Sequence, residues 1–129
     1  MIEGMRRLFV FVFALVTLVG CSSGSQSLSP TDFQKLTSES GVITLDVRTP
    51  AEFAAGHLSN AVNVDVESPD FATQIGQLDP KASYAVYCRS GNRSKVAMEQ
   101  MSAAGFTTTH DLDGGIVAWQ AAGLPVTTG

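Results

Sequence analysis

From residue 42 onward the chain alternates between two hydrophobic rhythms. Val42-Ile43-Thr44-Leu45-Asp46-Val47 is rich in β-branched residues and almost continuously apolar, as a strand covered on both faces should be. Thr49-Pro50-Ala51-Glu52 then offers a hydroxyl cap, a proline at the first helical position and an acid three residues after the cap, which predicts a short helix ended by Gly56. Ala61-Val62-Asn63-Val64 predicts a second short strand. Ser68-Pro69-Asp70-Phe71 repeats the cap-and-proline signal before a helix in which Phe71, Ile75 and Leu78 recur at spacings of four and three. Tyr84-Ala85-Val86-Tyr87 is a strand that runs directly into Cys88, and Arg89-Ser90-Gly91-Asn92 is too polar for an element interior and predicts a loop. From Arg93 the helical period returns, with Val96, Ala97, Met101 and Ala104 on one face and Gly105 as a left-handed terminator. Phe106 to Leu112 predicts the last strand, and Asp113-Gly114-Gly115 turns into a closing helix around Trp119. Alternating strand and helix signals predict an α/β domain in three layers, a mainly parallel central sheet with helices on both faces.

The N-terminal segment breaks this rhythm. Arg6 and Arg7 precede an unbroken apolar run from Leu8 to Val16, the layout of a secretory signal over residues 1–20 and too short to span a bilayer stably. A buried N-terminal helix would carry polar positions along one side, and this run offers none. Leu18-Val19-Gly20-Cys21 resembles the lipobox of bacterial lipoproteins. The resemblance implies thioether lipidation of Cys21, cleavage after Gly20 and attachment to a membrane of the cell envelope. Ser22 stands where a Gram-negative inner-membrane retention signal has Asp, so the expected location is the outer membrane facing the periplasm in a Gram-negative host, and otherwise the outer face of the cytoplasmic membrane. Residues 21–29 read as the lipidated cysteine and a flexible serine-rich tether, which leaves residues 30–129 as the folded domain.

Composition narrows the function. A length of 129 residues argues for one domain, and 44% hydrophobic against 16% charged residues is a globular balance. The net charge is −4, and without a clustered basic surface the chain is not expected to bind nucleic acid. Removing residues 1–20 takes away Arg6, Arg7 and Glu3 and leaves six basic against eleven acidic side chains, a charge of −5. With Cys21 alkylated, Cys88 is the one remaining thiol. An exported domain with a single cysteine forms no internal disulfide, and such a thiol is expected to be reactive.

A strand, then Cys88, then a polar loop, then a helix is the arrangement a thiolate needs. Loop N–H groups and the positive end of the helix dipole converge on the sulfur and favour the anion. Arg89 and Arg93 add positive charge, and Gly91 permits the positive φ of an anion nest. A buried structural cysteine at a strand end is the alternative. His57 and His110 are too few for a metal site, and Phe106 and Trp119 read as core residues.

These residues resemble the rhodanese-like sulfurtransferases in four ordered stretches: Leu45 to Phe53, Gly56-His57-Leu58 with Ala61-Val62-Asn63, Tyr87 to Ser94, and Leu112 to Ile116 with Trp119 and Gly123-Leu124-Pro125-Val126. The resemblance implies that Cys88 takes a sulfane sulfur from a small anionic donor such as thiosulfate or polysulfide, holds it as a persulfide and passes it to a thiol or cyanide, with no cofactor and no metal. It implies a binding loop of Arg89, Ser90, Gly91, Asn92 and Arg93, with the Ser94 hydroxyl donating into it and Arg89 attracting the anionic donor. Asp46 and Arg48 are expected to support the site, and His57 to hold loop backbone. The spacing Cys88-x4-Arg93 is one residue shorter than the Cys-x5-Arg loop of related phosphatases and arsenate reductases, and Tyr87 precedes the cysteine where those phosphatases usually place His; both features point away from phosphoryl transfer. A second reading stays open, a persulfide carrier or sulfur-sensing module that does not turn over.

Overall fold

The computed structural model describes residues 26–129. The expected signal segment 1–20, the expected lipidation site Cys21 and the first residues of the expected tether lie outside the described residues. Within them a five-stranded sheet in the order β1-β5-β4-β2-β3 is parallel throughout. Its strands are β1 (Gln26–Leu28), β2 (Val42–Asp46), β3 (Val62–Asn63), β4 (Ser83–Tyr87) and β5 (Thr108–Leu112), and the helices are α1 (Pro30–Thr37), α2 (Pro50–Ala55), α3 (Phe71–Ile75), α4 (Asn92–Ala103) and α5 (Gly115–Ala121).

Period-two alternation along the central strand β4 builds both halves of the core. Tyr84 and Val86 point to one face and pack with Leu45, Phe71, Ile75, Ala97 and Met101 of β2, α3 and α4. Ala85 and Tyr87 point to the other, where Phe33 of α1 and Trp119 of α5 meet them with Leu112. Phe33 stands edge-on to both Tyr87 and Trp119, with ring centroids 6.4 and 6.3 Å away. The three-layer α/β arrangement expected from the sequence is the fold.

Several local expectations are corrected. The helix α1 begins at the expected first domain residue, Pro30, but takes its cap from the segment read as tether, where Ser29 accepts the Asp32 N–H at 3.3 Å. Residues 26–28 of the expected tether form β1, paired in register with His110, Asp111 and Leu112 of β5. The domain therefore starts at least at Gln26 rather than at residue 30. α3 starts at Phe71, because Ser68 bonds the Asp70 N–H in a turn at 3.1 Å instead of capping the helix. Val96 is 48% exposed and Ala104 is exposed; the face of α4 that meets the sheet is Ser94, Ala97, Met98 and Met101. Gly105 does end that helix, with φ +94°.

The pairing of β1 makes it part of the fold. A chain beginning at Ser29 loses the partly buried Leu28 side chain and a hydrogen bond to buried Asp111, an expected loss of about 2 kcal/mol relative to a chain beginning at Gln26. Urea denaturation of the two chains measures it; coincident midpoints would show that β1 is dispensable.

Candidate active site

The loop that follows β4 is shaped by α5. The Ile116 N–H donates to the Cys88 carbonyl at 2.9 Å and the Val117 N–H to the Arg89 carbonyl at 3.2 Å. That approach requires glycine at 115: a Cβ there would lie 2.3 Å from the Arg89 oxygen, and its φ is +62°. In a trans peptide the N–H points opposite to the C=O. Tying the Arg89 carbonyl to α5 therefore turns the Ser90 N–H the other way, into the loop. Gly91, with φ +105°, places its own N–H 3.1 Å from the Cys88 sulfur and leads into α4.

Cys88 is 1% exposed. Burial pushes its thiol up, but the Ser94 hydroxyl, 3.5 Å from the sulfur, and the backbone N–H groups of Ser94, Gly91 and Ser90 outweigh burial and hold the thiol below its ordinary value. Loop amides therefore face the sulfur. Arg93 is placed differently from expectation. Arg93 points its Nη2 at Glu52 Oε2 of α2, 2.8 Å away, and this bond is the main cause that holds its guanidinium above its ordinary value, with the Cys88 charge a minor one. Arg93 is a tie between α4 and α2 before it is a donor to the loop. Arg89 is exposed and lines a cleft of about 480 Å³ together with Arg48, Glu52, Ile116, Val117 and Val126. Among the described residues Arg89 makes no salt bridge, whereas Arg48, Arg93 and Lys95 are paired with Asp46, Glu52 and Asp111.

On the β2 side, Asp46 and Arg48 form a buried network. Arg48 Nη2 lies 2.6 Å from Asp46 Oδ2 and 2.7 Å from the Gly56 carbonyl, and the Arg48 N–H reaches Asp46 Oδ1 at 2.9 Å. Burial works against the Arg48 charge, and Asp46 overcomes it and holds the guanidinium above its ordinary value. The Tyr87 hydroxyl donates to Asp46 Oδ2 at 2.6 Å and accepts the Leu58 N–H at 3.0 Å. Burial first, and then the Asp46 charge, push that hydroxyl far up, so it stays protonated and a donor. Asn63 bonds the carbonyls of Asp46 and Arg48 at 3.0 and 2.9 Å. His57 is buried, with Nδ1 2.8 Å from the Phe53 carbonyl, its ring stacked on Phe53 at 3.7 Å, and its backbone bridged to Thr127. Ser90 and Asn92 are exposed, and Asn92 is the first residue of α4.

Sequence reasoning passed over Asp111. It is wholly buried, next to Ser94, Lys95 and Ser27, and its only signal was a carboxylate in an otherwise covered strand. The partnership of Glu52 with Arg93 was hidden behind the capping-box reading: Thr49 does accept the Glu52 N–H at 3.3 Å, but the Glu52 carboxylate turns to Arg93. Among the described residues no group of three or more His, Cys, Asp or Glu is arranged to hold a metal ion.

Alkylation of Cys88 followed against pH should inflect below ~8.5, the value of a free thiol. Ser94→Ala should move the inflection upward, and Arg93→Gln should move it less, because Arg93 is already committed to Glu52. A larger shift from Arg93→Gln than from Ser94→Ala would reverse this ranking of causes.

The chain matches the family described as Rhodanese-like domain over residues 29–122. It is 33% identical over 102 residues to a sulfurtransferase of Allochromatium vinosum, covering 79% of this chain and 90% of that one. It is 42% identical over 94 residues to the chloroplastic thiosulfate sulfurtransferase 16 of Arabidopsis thaliana, covering 63% and 76%. It spans about half the length, 54%, of two other curated relatives. Among solved structures, a rhodanese-related protein of Thermoplasma volcanium superposes with a TM-score of 0.71 at 31% identity, covering 81% of this chain and 99% of that one. The parallel sheet, the cysteine loop after its central strand and this match over most of the described residues place the chain in the rhodanese-like domain family of sulfurtransferase relatives.

Proposed function

We propose that the chain is a sulfurtransferase that moves sulfane sulfur from thiosulfate or a polysulfide, through a persulfide on Cys88, to a thiol or cyanide. The observation that carries this reading is a buried thiol, held toward its anion by loop N–H groups, beside a cleft with one unpaired cation, Arg89. The Cys88 thiolate attacks the outer sulfur of thiosulfate. A Cys88 S–S bond forms while the donor's S–S bond breaks, and the leaving sulfite takes that electron pair. The acceptor then attacks the terminal sulfur, and the electron pair of the Cys88 S–S bond returns to Cys88 as thiolate. No net oxidant is needed.

Loop N–H groups aimed at the sulfur favour the anionic forms of both thiolate and persulfide, as preformed donors favour developing charge elsewhere. Arg89 binds the donor's sulfonate oxygens, for which a guanidinium offers two parallel N–H bonds. The five-residue advance from Cys88 to Arg93 supports sulfur rather than phosphoryl transfer, because Arg93 is held by Glu52 and does not close a ring around a tetrahedral oxyanion. The 1% exposure of Cys88 favours a second role as well: a persulfide there is shielded, as a carrier requires.

The proposal includes an anchor at Cys21. Since every strand is parallel, the chain enters β1 at the sheet end opposite the loop after β4.

Incubation with thiosulfate should add one sulfur atom to the intact mass, removable by cyanide, with no addition in Cys88→Ser. Arg89→Ala should slow loading by thiosulfate about tenfold, the worth of one charge-assisted contact, and leave loading by a neutral organic trisulfide little changed. Steady-state cyanolysis separates the enzyme from the carrier, since a carrier loads once and does not turn over. Hydrolysis of an aryl phosphate without sulfur uptake would refute the sulfur reading. For the anchor, a labelled fatty acid should be incorporated in cells and lost in Cys21→Ser; labelling that survives the substitution would refute it.

A further inference from the structure

We propose that Asp111 is a positioning residue that sets how readily Cys88 ionises, acting through the Ser94 hydroxyl, and that Ser27 of the edge strand β1 tunes it. The proposal rests on Cys88 as the reacting group.

The Ser94 hydroxyl has one hydrogen and three acceptors within reach: Asp111 Oδ2 at 3.0 Å, the Gly91 carbonyl at 3.1 Å and the Cys88 sulfur at 3.5 Å. Ser94 and Asp111 are both fully buried, so water does not relieve the competition. While Cys88 is a thiol, its S–H donates to Ser94 Oγ and the Ser94 hydrogen goes to the carboxylate, the strongest of the three acceptors. When Cys88 ionises, the sulfur needs that hydrogen and Asp111 must give it up. What remains to the carboxylate is Ser27, whose hydroxyl donates to Oδ1 at 2.5 Å, and Lys95, whose Nζ lies 3.2 Å from Oδ2. The better these two satisfy Asp111, the more freely Ser94 serves the sulfur.

If Asp111 only pinned β1 to β5, its bond to Ser27 would suffice, yet its other oxygen lies on Ser94. The groups that face this chain are few. α4 brings Lys95 and also Arg93, which is held by Glu52 of α2. β1 brings Ser27 and β5 brings Asp111 itself, while α5 brings the Ile116 N–H on the Cys88 carbonyl and the β4–α4 loop brings the Gly91 N–H on the sulfur and the exposed Arg89.

The test is the rate of iodoacetamide alkylation of the full chain against pH, read on the tryptic peptide Ala82–Arg89 so that Cys21 does not contribute. Asp111→Asn removes a buried like charge and frees the Ser94 hydroxyl; the inflection should fall by about half a pH unit, with alkylation about threefold faster at mildly acidic pH. Ser27→Ala should raise the inflection by a similar amount and slow alkylation, because the carboxylate then holds Ser94 harder. In the Asp111→Asn background, Ser27→Ala should have no further effect. An Asp111→Asn inflection that stays or rises, or a Ser27→Ala effect that persists without the carboxylate, overturns the proposal. Should Asp111→Asn not fold, Ser27→Ala and Lys95→Met, both at exposed positions, should each raise the inflection, and no shift in either overturns it. A wild-type inflection at the free-thiol value overturns the reading of Cys88 itself and this proposal with it.

Discussion

Two hydrogen bonds from the first turn of α5 to the carbonyls of Cys88 and Arg89 orient the rest of the site. They fix which side of each loop peptide faces the sulfur, and a peptide has only two sides. With the carbonyls held outward, N–H groups converge on Cys88 and its burial becomes compatible with an anion. The constraint passes back to the sequence at Gly115, where any side chain would collide with the Arg89 backbone. A glycine far from the cysteine in sequence is therefore as necessary to the loop as Gly91 within it.

The charges of the site are arranged in pairs, and the pairing decides what each can do. A buried ion pair is poor evidence of stability, since desolvation offsets much of its attraction, but it fixes geometry. Asp46 and Arg48 fix the turn after β2 by tying it to the Gly56 carbonyl and, through the Tyr87 hydroxyl, to the Leu58 amide. Glu52 and Arg93 tie α2 to the start of α4. Arg89 stands apart with its guanidinium at the cleft, so the groups that face the sulfur are loop N–H groups and the unpaired positive charge lies at the cleft beside them.

The strands β2, β4 and β5 were legible because covered parallel strands write themselves as runs of β-branched and aromatic residues, and the loop was legible because its polar residues interrupt such a run at Cys88. β1 was not. Gln26-Ser27-Leu28 has one apolar residue, and its place in the sheet comes from backbone pairing with β5 and from the Ser27 hydroxyl, neither of which has a hydrophobic period. The helix α1 escaped for a related reason: it buries one residue fully, Phe33, although Ser29-Pro30 carries the same cap-and-proline signal that identified α2 at Thr49-Pro50. Val96 misled because its spacing fits the helix period while its direction does not, and direction depends on where the sheet lies. Partners distant in sequence, such as Asp111 to Ser94 or Arg93 to Glu52, leave no periodic mark at all; only the fold brings them together.

Strand order explains why the supports of Cys88 come from both directions. β4 lies between β5 and β2, and in a parallel sheet every strand delivers its outgoing loop to the same edge, where ligands of open α/β sheets bind. The loop after β4 is therefore flanked on one side by the Gly114-Gly115 turn and α5, which leave β5, and on the other by Arg48 and α2, which leave β2. The first flank supplies the N–H groups that hold the loop carbonyls, and the second supplies Glu52 for Arg93 and, with Arg89, Ile116 and Val117, the walls of the cleft. Had β4 been an edge strand, one of these supports would be missing, and a loop of this length would have to hold its peptides without an outside partner. The central position of the strand that leads into Cys88 thus lets a loop with a buried thiol and two arginines keep one defined shape.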